Sequence, residues 1–419
     1  MNEQYIIKFM LSIVNSAIHE EESSLEDCSE VDWEKVYAIA QKNMLIPLLY
    51  DPVQKLAGQY KISEELMAYW KNNAFRSMLS EYEKYGALRQ ILSVAKKQNI
   101  TCILFKGCVL ADVYPKYSSR VSCDTDILVY QRDREKAIKL FENLGYRKDE
   151  QSSKELVYGY IMDAIHYKVE LHFSLWEDYK GTKIDLIENM NLTKEDSLIK
   201  INACGMEVTT LGYEQHFIFQ MFHIIKHFSL QGVSIRYLVD VTLYLNRYEE
   251  YINFEKFWVK MEILSYAKFC ENFFNICVQY LKMSPKILQG RKIRVSEDTE
   301  KFMMDLINVG SIFDEKNAGW QILGIITPYF IGEQDIPKSK FKRQIKILFP
   351  ASKDLPNEYA YARKLKILLP IAWIHKCVYF LIKRHKHKGD WYDAKEKLTV
   401  AEHRLSLMRS LGLMDGGKK

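Results

Sequence analysis

The chain has 419 residues, 48% hydrophobic and 27% charged, the balance of an ordinary soluble globular protein with a core large enough to stand without staples. Only 18 glycines and 9 prolines occur, which excludes collagen-like and low-complexity classes and points to long helices. The 59 basic and 54 acidic residues leave a net charge of +5, too mild to argue for a long nucleic acid or a membrane surface as partner. Eight cysteines without a C-x-x-C pair, most of them in apolar runs, read as buried reduced thiols of a cytoplasmic protein.

Residues 1–98 have helical periodicity throughout, and Ser63 followed by Glu64 and Glu65 marks a helix start. The N-terminal apolar stretch lacks a basic flank and is no signal peptide. At Thr101 the pattern changes. Short apolar runs at 102–105 and 127–130, an amphipathic helix over 132–145 closed by Gly145, and two β-rich segments at 157–162 and 164–176 make a compact α+β unit.

Helical patterns return after about residue 210 and persist to the end, with a Pro- and Gly-containing loop-rich stretch at 329–360. The expected fold class is therefore α+β: a small mixed-sheet core at 99–210, an N-terminal helical region at 1–98, a helical domain at 211–335 and a C-terminal helical region at 336–419. The apolar segment Ile367 to Ile382 is 16 residues long and broken by His375 and Lys376. A span needs about 20 apolar residues, so we expect a buried helix running into the basic cluster at 383–388 and no transmembrane segment.

The chemistry is concentrated between Phe105 and Trp176. Strand alternation puts Asp124 and Asp126 on one face, about 7 Å apart, while Ile127 and Val129 are free to pack. Two such carboxylates repel unless a cation neutralises them, and Mg²⁺ accepts one or two carboxylates together with phosphate oxygens. In the run 165–173, Glu170 shares a face with His166, Lys168 and His172, opposite Tyr167, Val169 and Leu171. If the two strands are neighbours, three acids converge, the set that two-metal phosphoryl chemistry requires.

Upstream, an apolar strand enters Lys106, Gly107 and Cys108, and then a helix-compatible stretch. A glycine there lets backbone N–H groups approach an anion, and Lys106 and Arg120 add positive charge.

This ordered set resembles the polymerase-β-like nucleotidyltransferase superfamily, and within it an uncharacterised bacterial family with the pattern K-G-x-x-L, R-x-x-x-D-x-D and v-E-L-H. The resemblance implies that Gly107 is the phosphate turn, that Asp124 and Asp126 hold metal and that Glu170 is the third carboxylate. It further implies a helix pair carrying His227, Arg236 and Asp240, expected as a buried polar network beside the cleft, with His172 as a core or supporting histidine. Two departures stand out: Cys108 replaces the superfamily's small hydroxyl residue, and fifteen residues separate it from Asp124.

The function implied is Mg²⁺-dependent transfer of a nucleoside monophosphate from a nucleoside triphosphate to an unidentified acceptor hydroxyl, with one or two ions and release of pyrophosphate. The competing expectation is a protein of the same fold that binds without turnover. A D…E-x-K nuclease is disfavoured because Leu171 and His172 follow the acid. His223 and His227 have zinc-compatible spacing, but no nearby motif completes a site.

Overall fold

The computed structural model describes residues 3–21, 31–60, 62–151, 155–162, 165–176, 190–230, 232–308, 359, 361–362, 365–375 and 404–413. Four helices come first: α1 (Glu3–His19), α2 (Trp33–Lys42), α3 (Ile46–Ala57) and α4 (Glu64–Lys97). Asp32 caps α2 by accepting from the Lys35 N–H at 3.0 Å, and Ser63 caps α4 by accepting from Leu66 at 3.2 Å. Both satisfy donors that a helix start leaves open. Trp70 pins α4 to α3 through a 3.1 Å bond from Nε1 to the Ile46 carbonyl.

The sheet has seven strands: β1 (Cys102–Leu104), β2 (Asp124–Val129), β3 (Arg147–Gln151), β4 (Glu155–Met162), β5 (Ile165–His172), β6 (Leu198–Ala203) and β7 (Met206–Leu211), in the order β3-β4-β5-β2-β1-β7-β6. The β2–β5 and β1–β7 pairs are parallel and the rest antiparallel. The fold class is α+β with a mixed sheet, as expected. Strands β3, β6 and β7 go beyond the four expected. The sequence of β3, Arg-Lys-Asp-Glu-Gln, is wholly polar, and the strand stands at one end of the sheet order, paired with β4.

Between strands lie α5 (Gly107–Ala111) and α6 (Arg134–Asn143), the latter ended by Gly145 at φ +86°. The C-terminal part contains α7 (Tyr213–Leu230), α8 (Ile235–Tyr248), α9 (Phe254–Ile263), α10 (Ala267–Tyr280) and α11 (Glu297–Asn308), with further helix at 369–375 and 404–410.

Both sheet faces are covered. Ile127, Val129 and Leu104 pack with Tyr85, Leu88 and Ile91 of α4 and with Leu140 and Phe141 of α6. Ile103, Phe105, Leu128 and Leu211 face the other way, into one core that unites α1–α3 with α7–α11 and residues 405–413. Helices α1–α3, which precede the sheet in sequence, and the helices that follow it thus belong to one core on the same face, while most of α4 covers the other. No helix among the described residues is long and apolar enough to cross a membrane. Most of the 329–360 stretch, the second half of Ile367 to Ile382 and the basic cluster at 383–388 lie outside the described residues.

Candidate active site

The site is built where β1 ends and β2 begins, on the sheet face turned toward α7 and α8. After β1 the chain turns sharply: Lys106 has φ −159° and ψ −131°, and Gly107 has φ +40°, a left-handed conformation that glycine adopts without strain. An added Cβ on Gly107 would meet nothing within 4 Å, so the space above the turn is open. Lys106 reaches across to Asp126, donating from Nζ to Oδ1 at 2.9 Å.

The parallel register of β2 and β5 pairs Asp126 with Glu170, Asp124 with Lys168 and Leu128 with His172. Even-numbered residues of both strands therefore share one face. His172 Nε2 lies 3.0 Å from Asp126 Oδ1 and 3.7 Å from Glu170 Oε2, and Lys168 Nζ is 2.7 Å from Glu170 Oε1. One donor atom each from Asp126, Glu170 and His172 falls within a 4.8 Å cluster, a set able to hold a cation. His172, expected only in a supporting role, stands in this cluster, while Asp124 is not among its members and sits at the half-exposed start of the strand.

The charges are coupled by burial. Burial raises the Glu170 carboxyl above its ordinary range, and the negative charges of Asp124 and Asp126 push it further. Burial also opposes charge on Asp126, but the Lys106 ammonium and the hydrogen-bonded His172 outweigh it and hold that carboxyl well below the usual range. Lys106 is the mirror case: burial disfavours its charge, yet Asp126, Asp124 and Glu170 together raise its pKa above normal.

Contacts made by buried side chains fix the loop that leads into Asp124. Arg120 forms a fork on Asp240, Nε to Oδ1 at 2.7 Å and Nη2 to Oδ2 at 2.9 Å, and Tyr114 donates to the same Oδ1 at 2.7 Å. Arg236 donates to the Val121 carbonyl. From the other side Glu81 accepts from the Ser122 N–H at 2.9 Å while Lys84, 2.6 Å from Glu81, donates to the Ser122 carbonyl.

Arg120 was expected beside the phosphates; only 5% exposed, it is instead committed to Asp240, because a guanidinium in the interior needs a carboxylate to offset its lost hydration. Around the expected helix pair, Asp240 accepts from Arg120, Arg236 donates to the Val121 carbonyl and favours the charge on Asp240, and His227 Nε2 lies 3.0 Å from His223 Nε2. The Cys108 thiol is 3% exposed in the core beneath the turn and pushed up to about 12 by burial, so only the main chain of this residue is available to an anion.

Glu81 and Lys84 were not singled out from the sequence, although a signal existed: two charged residues lie on the otherwise apolar inner face of α4, among Trp70, Ala74, Tyr85 and Leu88. A charged pair on a core-facing stripe is costly unless it holds something.

Does the donor set suit a divalent cation? Asp126 and Glu170 supply hard oxygen donors that face each other across adjacent strands, the half-exposed Asp124 supplies another, and the turn opens beside them. These residues fit an ion such as Mg²⁺, which keeps water and phosphate oxygens in its remaining positions.

A family model described as "Uncharacterised nucleotidyltransferase" matches residues 29–282, more than half of the chain and every strand of the sheet. The chain belongs to this nucleotidyltransferase family. Among solved structures, one of ANT(2″)-Ia in complex with adenylyl-2″-tobramycin is similar at 14% identity, covering 39% of this chain and 89% of that one, with a TM-score of 0.29. No curated protein matches the chain.

Proposed function

We propose that the chain transfers a nucleoside monophosphate from a nucleoside triphosphate to an acceptor hydroxyl, releasing pyrophosphate, with Asp124, Asp126 and Glu170 as the divalent-metal ligands. The observation that carries this reading is the β2–β5 register, in which Asp126 and Glu170 sit opposite one another on the face beside the Gly107 turn. When bound, a divalent cation would neutralise phosphate charge and favour the ionised form of the attacking hydroxyl.

The chain's own residues do the rest. Gly107 and the following main chain receive phosphate oxygens, and Lys106 neutralises their charge. Glu170 lies at the edge of the cluster and is positioned to take the acceptor proton as oxygen attacks the α-phosphorus and the bond to pyrophosphate breaks. His172 orients Asp126. The buried contacts of Arg120, Glu81 and Arg236 keep the carboxylates in place, which is where the rate of such transfers comes from. The five buried free thiols Cys102, Cys108, Cys204, Cys270 and Cys277 suit a reducing cytoplasm.

The test is incubation of the full chain with each α-labelled nucleoside triphosphate and Mg²⁺ or Mn²⁺, following pyrophosphate and label, with water as the acceptor of last resort. Release is expected, at least 10³-fold reduced in Asp126→Asn and Glu170→Gln. Release that persists in Asp124→Ala plus Asp126→Ala counts decisively against the assignment. A second reading, binding without turnover, draws on the Lys106–Asp126 contact, which neutralises the carboxylate from within the protein. Calorimetry separates the two: triphosphate binding indifferent to divalent ions, with no pyrophosphate, supports the second.

A further inference from the structure

Helix α4 carries a second feature that the transfer reading leaves unused. Its inner face is defined by buried Trp70, Ala74, Tyr85, Leu88, Ile91 and Ala95. At about 100° per residue, Phe75, Leu79, Tyr82 and Gly86 fall together on the opposite face, where a surface helix is normally polar. Here Phe75 is 56% exposed, Leu79 57% and Tyr82 61%, and a Cβ placed on Gly86 would meet nothing within 4 Å. Single exposed apolar residues need no explanation; a contiguous stripe along one helix does.

Opposite charges bracket the stripe. Glu64 and Glu65 stand exposed at its N-terminal end, Lys96 and Lys97 at its C-terminal end. The contact of Lys96 with Glu207, at 3.6 Å, is itself between largely exposed side chains and contributes little.

We propose that this face pairs with a second copy of the chain, the two α4 helices running antiparallel about a two-fold axis between Leu79 and Tyr82. Such an axis brings one patch against itself, so every contact occurs twice. Leu79 meets Tyr82 of the second copy, the Phe75 ring lies over the bare backbone at Gly86, and Glu64 and Glu65 face Lys97 and Lys96. Glycine at that point allows helix axes to approach within the usual 8–10 Å despite the aromatic ring opposite it. A parallel arrangement would put acids against acids and lysines against lysines, so the charge pattern selects the antiparallel one. The helix is about 50 Å long at 1.5 Å per residue; among the described residues the Tyr50 ring stands edge-on to Phe75, 6.1 Å between centroids, while Leu79, Tyr82 and Gly86 are exposed.

The partner is a second copy, rather than another protein's helix, because the charges complement their own reversal. The inference does not depend on catalysis, since none of these side chains belongs to the carboxylate site.

Sedimentation velocity and light scattering on the full chain from about 1 to 100 µM test it. A species of twice 49.4 kDa is expected. Leu79→Asp, on an exposed position, is expected to leave the circular dichroism unchanged and shift the dimer midpoint at least tenfold upward. Glu64→Lys with Glu65→Lys is expected to weaken the dimer, and adding Lys96→Glu with Lys97→Glu to restore it. A monomer at 100 µM overturns the proposal and leaves the stripe to a different occupant. A dimer indifferent to Leu79→Asp overturns it in favour of another face, and failure of the double reversal to restore pairing overturns the antiparallel register.

Discussion

Arg120 and Asp240 meet as a two-pronged ion pair in the interior, 2.7 and 2.9 Å long, joining the loop before β2 to the middle of α8. Both side chains are 5% exposed or less. The pair is the joint between the sheet and the helices that close over the carboxylates. Burial opposes charge on each partner, and each is held charged by the other, with Tyr114 and Arg236 assisting on the Asp240 side.

Breaking this joint from one side leaves an uncompensated buried charge. Arg120→Met or Asp240→Leu alone is expected to cost about 3–5 kcal/mol in urea unfolding. The double variant is expected to recover most of that loss, because an apolar pair of similar volume needs no hydration. Additive losses in the double variant would show that the two residues act independently.

Lys106 competes with any cation for the same Asp126 oxygen. Two unit charges about 4 Å apart interact by about 4 kcal/mol at an effective dielectric constant of 20, so removing the ammonium frees appreciable binding energy. In Lys106→Met, Mn²⁺ binding without nucleotide, followed by titration calorimetry or spin resonance, is expected to tighten at least tenfold. On the proposed function nucleotide transfer is expected to fall, since that reading gives Lys106 to the phosphates as counter-charge. Unchanged or weaker Mn²⁺ binding would place the cation elsewhere.

Gly107 separates backbone strain from ligand contact. At φ +40° an alanine costs about 1–2 kcal/mol, and the open space around it adds no clash. Gly107→Ala is therefore expected to lower stability by that modest amount. On the proposed function it is expected to raise KM for the triphosphate at least tenfold, because a methyl group would then stand where that reading puts the phosphate oxygens. Loss of stability with an unchanged KM would remove the turn from the nucleotide site.

His216 predicts an acid-sensitive fold. Fully buried, it donates from Nε2 to the Phe105 carbonyl at 2.9 Å, and burial pushes it down to about 4. In the unfolded chain the same ring takes a proton near pH 6.5. Between these values the unfolded state binds the extra proton, so stability is full above pH 6.5 and falls as pH drops toward 4. The slope corresponds to a loss on the order of 3 kcal/mol. Buried His223, also lowered by desolvation, acts in the same direction. Urea midpoints at pH 7 and 4.5 are expected to differ less in His216→Gln than in the parent chain; an equal difference would assign the acid sensitivity to other groups.

The sequence by itself determined the carboxylate face. Alternation in a strand is a local property, so Asp124 with Asp126, and Glu170 with His172, were bound to share sides once two strands were recognised. The Ser63 cap, the Gly145 stop and the Gly107 turn were legible for the same reason, because the conformations they serve span a few bonds. What only the tertiary structure decided was which distant charges meet.

Arg120 lies in a motif with aspartates four and six residues away, yet its partner is Asp240, 120 residues on. Glu81, unnoticed on its helix, holds Ser122, 41 residues on. Buried charge must be neutralised wherever packing brings a partner, and packing depends on the whole core rather than on neighbours in the chain. The polar edge strand β3 escaped notice on the same physical ground: its place in the sheet comes from hydrogen bonds to β4, which leave no mark in hydrophobic periodicity.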